Sequence, residues 1–168
     1  PDSITSNLKN IWIFHGNPAL DEDGNGGLGM WGELAPGHGW KFSSDGKENK
    51  LSDYFGIELS FAKRLQEYYP NEKIAIIKYS KGGSSIDSLA GGATWEPDYR
   101  GGKGINQYDH FLRTVRLAFD DKDIDNDGTE DYLIPSGIIW MQGESDAMFT
   151  EAIANRYYAH LKRLMDLI

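Results

Sequence analysis

The stretch IIWMQGESDA, residues 138–147, says most about how this chain folds. Its apolar first half is the type of run that forms a strand buried on both faces of a parallel sheet. The run stops at Gln142, and Gly143 lets the backbone bend sharply before the polar residues that follow. In open α/β sheets, ligands bind just outside the carboxyl ends of the strands. The stretch therefore predicts a strand over residues 136–141 with polar groups at its end, although a plain strand, turn and capped helix would also fit.

Other segments of the sequence complete an alternating pattern of strands and helices. Residues 9–14 and 73–79 are apolar runs typical of buried strands. Apolar side chains recur on one face over residues 53–69, 106–119 and 150–168, which predicts three amphipathic helices. Such alternation indicates an α/β domain with a parallel sheet covered on both faces. The pattern alone also allows a flavodoxin-like or a Rossmann-like domain.

Composition limits the class of protein and its partners. The chain has 168 residues, 39% hydrophobic and 26% charged, which fits one soluble globular domain. Its net charge of −9 disfavours a nucleic-acid partner, because phosphate binding needs a basic face. No apolar run approaches the roughly 20 residues of a membrane helix, so we expect no membrane partner. The start at Pro1, without Met or a signal-like segment, fits a processed secreted or periplasmic protein, or a trimmed chain.

Three motifs together resemble the sialate O-acetylesterase and acetylxylan esterase group of carbohydrate esterases, within the SGNH-hydrolase superfamily. Residues 140–147 resemble its W-x-Q-G-E-S-D-A signature, residues 55–62 its F-G-P-E-x-x-F-A helix, and residues 74–86 its second strand and glycine turn. The resemblance implies one esterase-like domain over residues 1–168 with a three-layer α/β/α sandwich. It also implies an enzyme that removes acetyl groups from acetylated sugars through an acyl-serine intermediate, with no catalytic cofactor.

The resemblance assigns roles to three residues. In this group, the backbone N–H of a glycine after the second strand and a polar side chain of the Q-G-E block hold the oxyanion, which implies Gly83 and Gln142. The equivalent of Glu144 is the acid of the catalytic triad in some members. Without the resemblance, Gly83 fits a tight turn, and Glu144 fits a carboxylate that accepts backbone N–H groups near the last helix. Asp146 is interpreted as a helix cap or a local hydrogen-bond acceptor.

The nucleophile of the family is not found where it is expected. The family carries its serine in a G-Q-S-N motif directly after the first strand, whereas here Gly16 is followed by Asn17. Three explanations stay open. We favour a missing segment with the serine near residues 15–20. The alternatives are that the serine has been lost or that Ser84 or Ser85 acts.

The catalytic base is also not found in the sequence. The family's D-x-x-H motif lies well downstream of the Q-G-E block, whereas the sequence ends at Ile168, in the helix after that block. His160 is interpreted as a residue of this helix and not as the base. His15 follows the first strand, but the resemblance gives it no role. We therefore expect the domain to be incomplete at its C-terminus.

An acidic segment predicts a calcium site independently of the esterase motifs. Residues 123–131, DIDNDGTED, have alternating carboxylates and a glycine that permits a sharp turn. The EF-hand glutamate at position twelve is replaced by Ile134, so the segment resembles the short calcium loops of extracellular proteins. The expected ligands of a structural Ca²⁺ are Asp123, Asp125, Asp127 and Asp131. A solvated acidic turn is the alternative.

Two other functions remain open at this point. A relative that has lost the serine would bind carbohydrate without hydrolysing it. A calcium-stabilised structural module of a larger extracellular protein would bind no small ligand.

Overall fold

A computed structural model describes residues 8–168 of the chain. The strands are β1 (Ile11–His15), β2 (Trp31–Glu33), β3 (Ser43–Ser44), β4 (Asn49–Lys50), β5 (Ile74–Lys78), β6 (Ser84–Ser85) and β7 (Ala93–Thr94). The α-helices are α1 (Glu58–Tyr68), α2 (Gln107–Asp120), α3 (Glu144–Phe149) and α4 (Glu151–Asp166). A 3₁₀ helix covers Ser88–Ala90. The protein is therefore of mixed α/β class, as the sequence predicted.

The largest sheet of the described residues has β1 at its centre. β1 pairs in parallel with β5, from Ile11 opposite Ile74 to His15 opposite Lys78. This confirms the first two predicted strands and their parallel pairing. On its other edge, β1 pairs antiparallel with the short strand β2, which the sequence did not predict. Two smaller sheets are formed by β3 with β4 and by β6 with β7.

Side chains of β1 alternate between two hydrophobic clusters. Ile11 and Ile13 pack with Leu59 and Ala62 of α1. Phe14 packs with Trp31, Ala118 and Ile124, on the side of α2. The alternation follows from the twofold repeat of a strand, which directs neighbouring side chains to opposite faces. His15, the last residue of β1, therefore lies at the carboxyl end of a strand that is packed on both faces.

The prediction of a strand over residues 136–141 is wrong, because these residues form an irregular segment. Ile138, Ile139 and Met141 expose 56%, 54% and 73% of their surface. A strand is defined by hydrogen bonds to a neighbouring strand. Within the described residues, no backbone hydrogen bond joins residues 132–142 to another segment. Trp140 alone of this run packs inward, edge-on against Trp95 with the ring centroids 5.1 Å apart.

The predicted helices are present with shifted ends. α2 begins at the predicted position, where Asn106 and Asp109 form a reciprocal capping box. α4 is capped by Thr150, whose hydroxyl accepts the N–H of Ile153. α1 begins at Glu58, later than expected, because Ser52 and Tyr54 hydrogen-bond to the preceding loop at Gly37 and Gly39. Among the helices described, none is both long and apolar enough to cross a membrane.

Candidate functional site

A glycine turn follows β5 and carries Gly83. Gly83 has a φ of +72°, a conformation that favours glycine. A side chain at this position would meet no atom within 4 Å, so conformation and not crowding requires the glycine. The turn leads into β6, whose residues Ser84 and Ser85 are buried. The backbone at Gly83 is therefore open to a ligand, while the residues after it are fixed in the interior.

Gln142 lies against this turn although it is almost 60 residues away in sequence. Its Nε2 donates to the carbonyl oxygen of Ser84 at 3.0 Å and to the carboxylate of Asp146 at 2.7 Å. These two acceptors use both hydrogens of the amide. Its Oε1 is buried without a hydrogen-bond partner in the described residues. The oxyanion role of Gln142 stays a prediction, and it requires one N–H to leave or share its present acceptor.

Asp146 ties the turn to the start of α3. Its side chain is fully buried. The carboxylate accepts the backbone N–H of Ile86 at 3.0 Å and that of Asp87 at 2.9 Å, in addition to the Gln142 amide. Asp146 is thus a hydrogen-bond acceptor, as predicted, but for distant residues as well as a local one.

Glu144 is exposed at the first position of α3. The residue before it, Gly143, has a φ of +147° and makes the sharp bend that the sequence predicted. The bend directs the chain from Gln142 at the turn to Glu144 at the surface. The role of Glu144 as the acid of a triad stays a prediction.

A buried histidine pair lies at the ends of β1 and β5. The His15 ring stacks on Phe42 with the centroids 3.9 Å apart, and its Nδ1 is 3.3 Å from Nδ1 of His38. Lys78, the last residue of β5, donates to the carbonyl oxygen of His38 at 2.5 Å and to Glu58 at 2.8 Å. Sequence reasoning missed this group, because His38 comes from a glycine-rich loop without periodicity.

Burial sets the protonation of this group. Burial and the neighbouring Lys78 charge hold the pKa of His15 well below its usual value. The same two causes, in the same order, lower the pKa of His38 to about 4, against a smaller opposite effect of Glu58. For Glu58, burial acts to raise the pKa, but hydrogen bonds from Lys78 and the Gly56 N–H outweigh it and lower the pKa overall. Both imidazoles are therefore neutral at pH 7, beside a buried ion pair.

Residues 35–168 match the family model described as carbohydrate esterase, sialic acid-specific acetylesterase. The chain belongs to this family. The match includes the glycine turn, Gln142 and Asp146, and it confirms the resemblance that the three motifs indicated. Neither the comparison with curated proteins nor that with solved structures found a match.

The serines of β6 have hydroxyls bonded inside the protein. Ser84 Oγ donates to the carbonyl oxygen of Lys81 at 2.7 Å and accepts the indole N–H of Trp95 at 2.9 Å. Ser85 Oγ donates to the carbonyl oxygen of Asp87 at 3.0 Å. A serine nucleophile needs a base within hydrogen-bond reach. Among the described residues, no histidine bonds to either hydroxyl.

His160 lies on α4, as predicted, close to the far end of the turn. Its Nδ1 is 4.0 Å from the Asp87 carboxylate. The same carboxylate accepts hydrogen bonds from Nε of Arg156 at 2.9 Å and from its Nη2 at 2.5 Å. The arginine, on α4, is thus the main partner of Asp87 and fixes the residue that follows the turn.

Three of the four predicted calcium ligands converge. Carboxylate oxygens of Asp123, Asp125 and Asp131 lie within 4.8 Å of one another, and one oxygen each of Asp123 and Asp125 is buried without a hydrogen-bond partner. Asp127 lies outside the group, and its carboxylate accepts the N–H of Thr129 at 2.8 Å. Lys73 donates to Asp125 at 2.7 Å and to Asp131 at 3.2 Å. The oxygen donors suit Ca²⁺, but the cation would compete with this ammonium.

Proposed function

We propose that the protein is a carbohydrate O-acetylesterase that removes acetyl groups from acetylated sugars through an acyl-serine intermediate. One observation carries the proposal. The two family motifs, the glycine turn at Gly83 and the Q-G-E block, are far apart in sequence but meet through the bonds of Gln142 and Asp146 to residues 84–87. Family membership over residues 35–168 supports acetylated carbohydrates as the class of substrate.

The proposed chemistry uses this meeting point. A serine oxygen bonds to the acetyl carbonyl carbon while the base takes the serine proton. The C–O bond to the sugar then breaks, and the sugar oxygen takes that proton from the base. Water hydrolyses the acyl-enzyme, which releases acetate and restores the serine hydroxyl. Negative charge develops on the carbonyl oxygen, and a fixed backbone N–H stabilises it. We assign this role to Gly83, with Gln142 as a second donor. Glu144 would accept the Nδ1–H of the catalytic histidine and hold its tautomer.

We also propose that the domain has the three-layer α/β/α sandwich of SGNH hydrolases. The support is the position of β1, whose alternate side chains pack towards α1 and towards α2.

A carbohydrate-binding relative without catalysis is the second candidate. Two observations favour it: Gly16 is followed by Asn17 and not by the serine motif, and the hydroxyls of Ser84 and Ser85 are bonded to groups other than a histidine. Asn17 is itself well fixed, since its N–H donates to Leu28 and its side chain accepts the Ser44 N–H.

A fluorophosphonate probe separates the two candidates, because it labels only an activated serine. We expect one labelled serine in the native protein, in the G-Q-S-N segment that we expect near residues 15–20, and none after heat denaturation, with the peptide mapped by mass spectrometry. A label at Ser84 or Ser85 would move the nucleophile to β6. Sugar binding by a folded protein that takes no label and releases no acetate would establish the binding relative and contradict the esterase.

A further inference from the structure

The turn that carries Gly83 has little to hold it at its tip. Gly82 and Gly83 are both exposed, and a side chain at either position would meet no atom within 4 Å. Glycine has the greatest backbone freedom of any residue. An N–H that stabilises an oxyanion must be fixed before the reaction, since reorganisation during the reaction would cost free energy. The hydrogen bonds just after the tip must therefore fix the turn.

The Ser84 hydroxyl closes the turn by donating to the carbonyl oxygen of Lys81 at 2.7 Å, and one carboxylate holds the backbone that follows. Asp146 is 0% exposed. It accepts the N–H groups of Ile86 and Asp87 at 3.0 and 2.9 Å, and the Gln142 amide at 2.7 Å. An ionised carboxylate only accepts hydrogen bonds, and such charge-assisted bonds are about twice as strong as neutral ones. No ion pair of the described residues involves Asp146, so these N–H groups are what compensate its burial.

The same carboxylate fixes the orientation of Gln142. If the amide were rotated by 180°, its Oε1 would face both the Asp146 carboxylate and the Ser84 carbonyl oxygen. All three groups accept hydrogen bonds and none donates, so they would repel one another. Asp146 therefore keeps Nε2, the donor side of the amide, directed to the turn. A neutral Asn at position 146 would place a donor or a weaker acceptor there and would weaken this preference.

We propose that Asp146 is a positioning residue that preorganises the backbone at Gly83 and keeps the donor side of the Gln142 amide directed to the turn. The inference rests on the proposed esterase function for its consequence, but the anchoring itself is a property of the fold. Asp87 extends the anchor, because Arg156 of α4 binds its carboxylate through two nitrogens. The turn is thus held by α3 through position 146 and by α4 through position 156.

The test compares wild type with Asp146→Asn, using Glu151→Gln as the control. Glu151 is an exposed acidic residue in the first turn of α4, so its variant removes one negative charge without touching the turn. With 4-nitrophenyl acetate, and with rates corrected for the folded fraction by circular dichroism, we expect kcat of Asp146→Asn to fall about 10²-fold. We expect KM to change less than about threefold, since ground-state binding does not use the oxyanion donors. A kcat loss fully explained by unfolded protein, or an unchanged kcat, would overturn the proposal.

A second readout does not depend on activity. The amide hydrogens of Ile86 and Asp87 should exchange with deuterium at least about tenfold faster in Asp146→Asn than in wild type, whereas β1 amides should keep their rates. Unchanged exchange at these two positions would overturn the anchor whatever the activity. If wild type releases no acetate but exchange increases in the variant, the esterase function fails and the anchoring stands.

Discussion

Mild acid should destabilise this protein through its buried histidine pair. The pKa of His38 is lowered to about 4 in the folded state, from a usual value of 6.5. Below pH 6.5, His38 is therefore protonated in the unfolded chain but stays neutral in the folded protein. The free energy of unfolding decreases as the pH falls from 6.5 towards 4. A pH of 5 lies about 1.5 units below the pKa of His38 in the unfolded chain. At 1.36 kcal/mol per unit, the free energy of unfolding is therefore lower by about 2 kcal/mol. His15 adds a loss in the same direction.

Glu58 acts in a different pH window. Its pKa is lowered from 4.5, so its stabilising effect is complete above that value and is lost only as the pH falls through the lower, folded-state pKa. A change between pH 7.5 and pH 5 therefore reports the histidines and not this carboxylate.

Urea unfolding at pH 9, 7.5 and 5, followed by tryptophan fluorescence, measures the effect. We expect His38→Gln to lose about 2 kcal/mol less than wild type between pH 7.5 and pH 5. Between pH 9 and 7.5, where the histidines stay neutral in both states, the difference between the two proteins should be constant. Equal losses for wild type and His38→Gln between pH 7.5 and 5 would refute the neutral buried pair.

Three further predictions concern single groups. Gln142→Ala should lower kcat for acetate release about 10²-fold or more, whether the amide binds the oxyanion or holds the turn, and an unchanged kcat would contradict both roles. Lys78→Met leaves the Glu58 carboxylate buried without its cation, so the free energy of unfolding in urea at pH 7.5 should fall by about 3–5 kcal/mol; a loss below about 1 kcal/mol would count against the ion pair. Calorimetric titration with millimolar Ca²⁺ should give heat in wild type and in Asp127→Asn but not in Asp123→Asn. No heat in wild type would remove the proposed calcium site.

Local patterns in the sequence were sufficient for the parallel pair of strands and for the main helices. The apolar runs of β1 and β5 are short, continuous and bounded by polar residues, which is the pattern of buried parallel strands. The start of α2 could be predicted because its capping box at Asn106 involves only neighbouring residues. The order of three motifs was enough to identify the family, which the match over residues 35–168 confirms.

The features that could not be predicted from the sequence depend on contacts between residues that are distant in the chain. Residues 136–141 have the composition of a strand, but a strand also needs a hydrogen-bonded neighbour, which composition does not reveal. Asp146 was interpreted as a helix cap or a local acceptor. Its bonds to Ile86 and Asp87 could not be predicted, because they depend on how α3 packs against the turn. His38 gave no signal, because it lies in an irregular loop and its partner His15 is 23 residues away. The calcium ion and the secreted or periplasmic location stay predictions.

Acetate release from O-acetylated sugars tests the central claim most directly. Purified protein would be incubated at pH 7.5 with O-acetylated sialic acid and, separately, with acetylated xylan, and free acetate would be measured over time. The account predicts acetate release from at least one substrate, in proportion to enzyme concentration and strongly reduced in Gln142→Ala. No acetate from either substrate, with a folded protein that still binds the sugars, would contradict it.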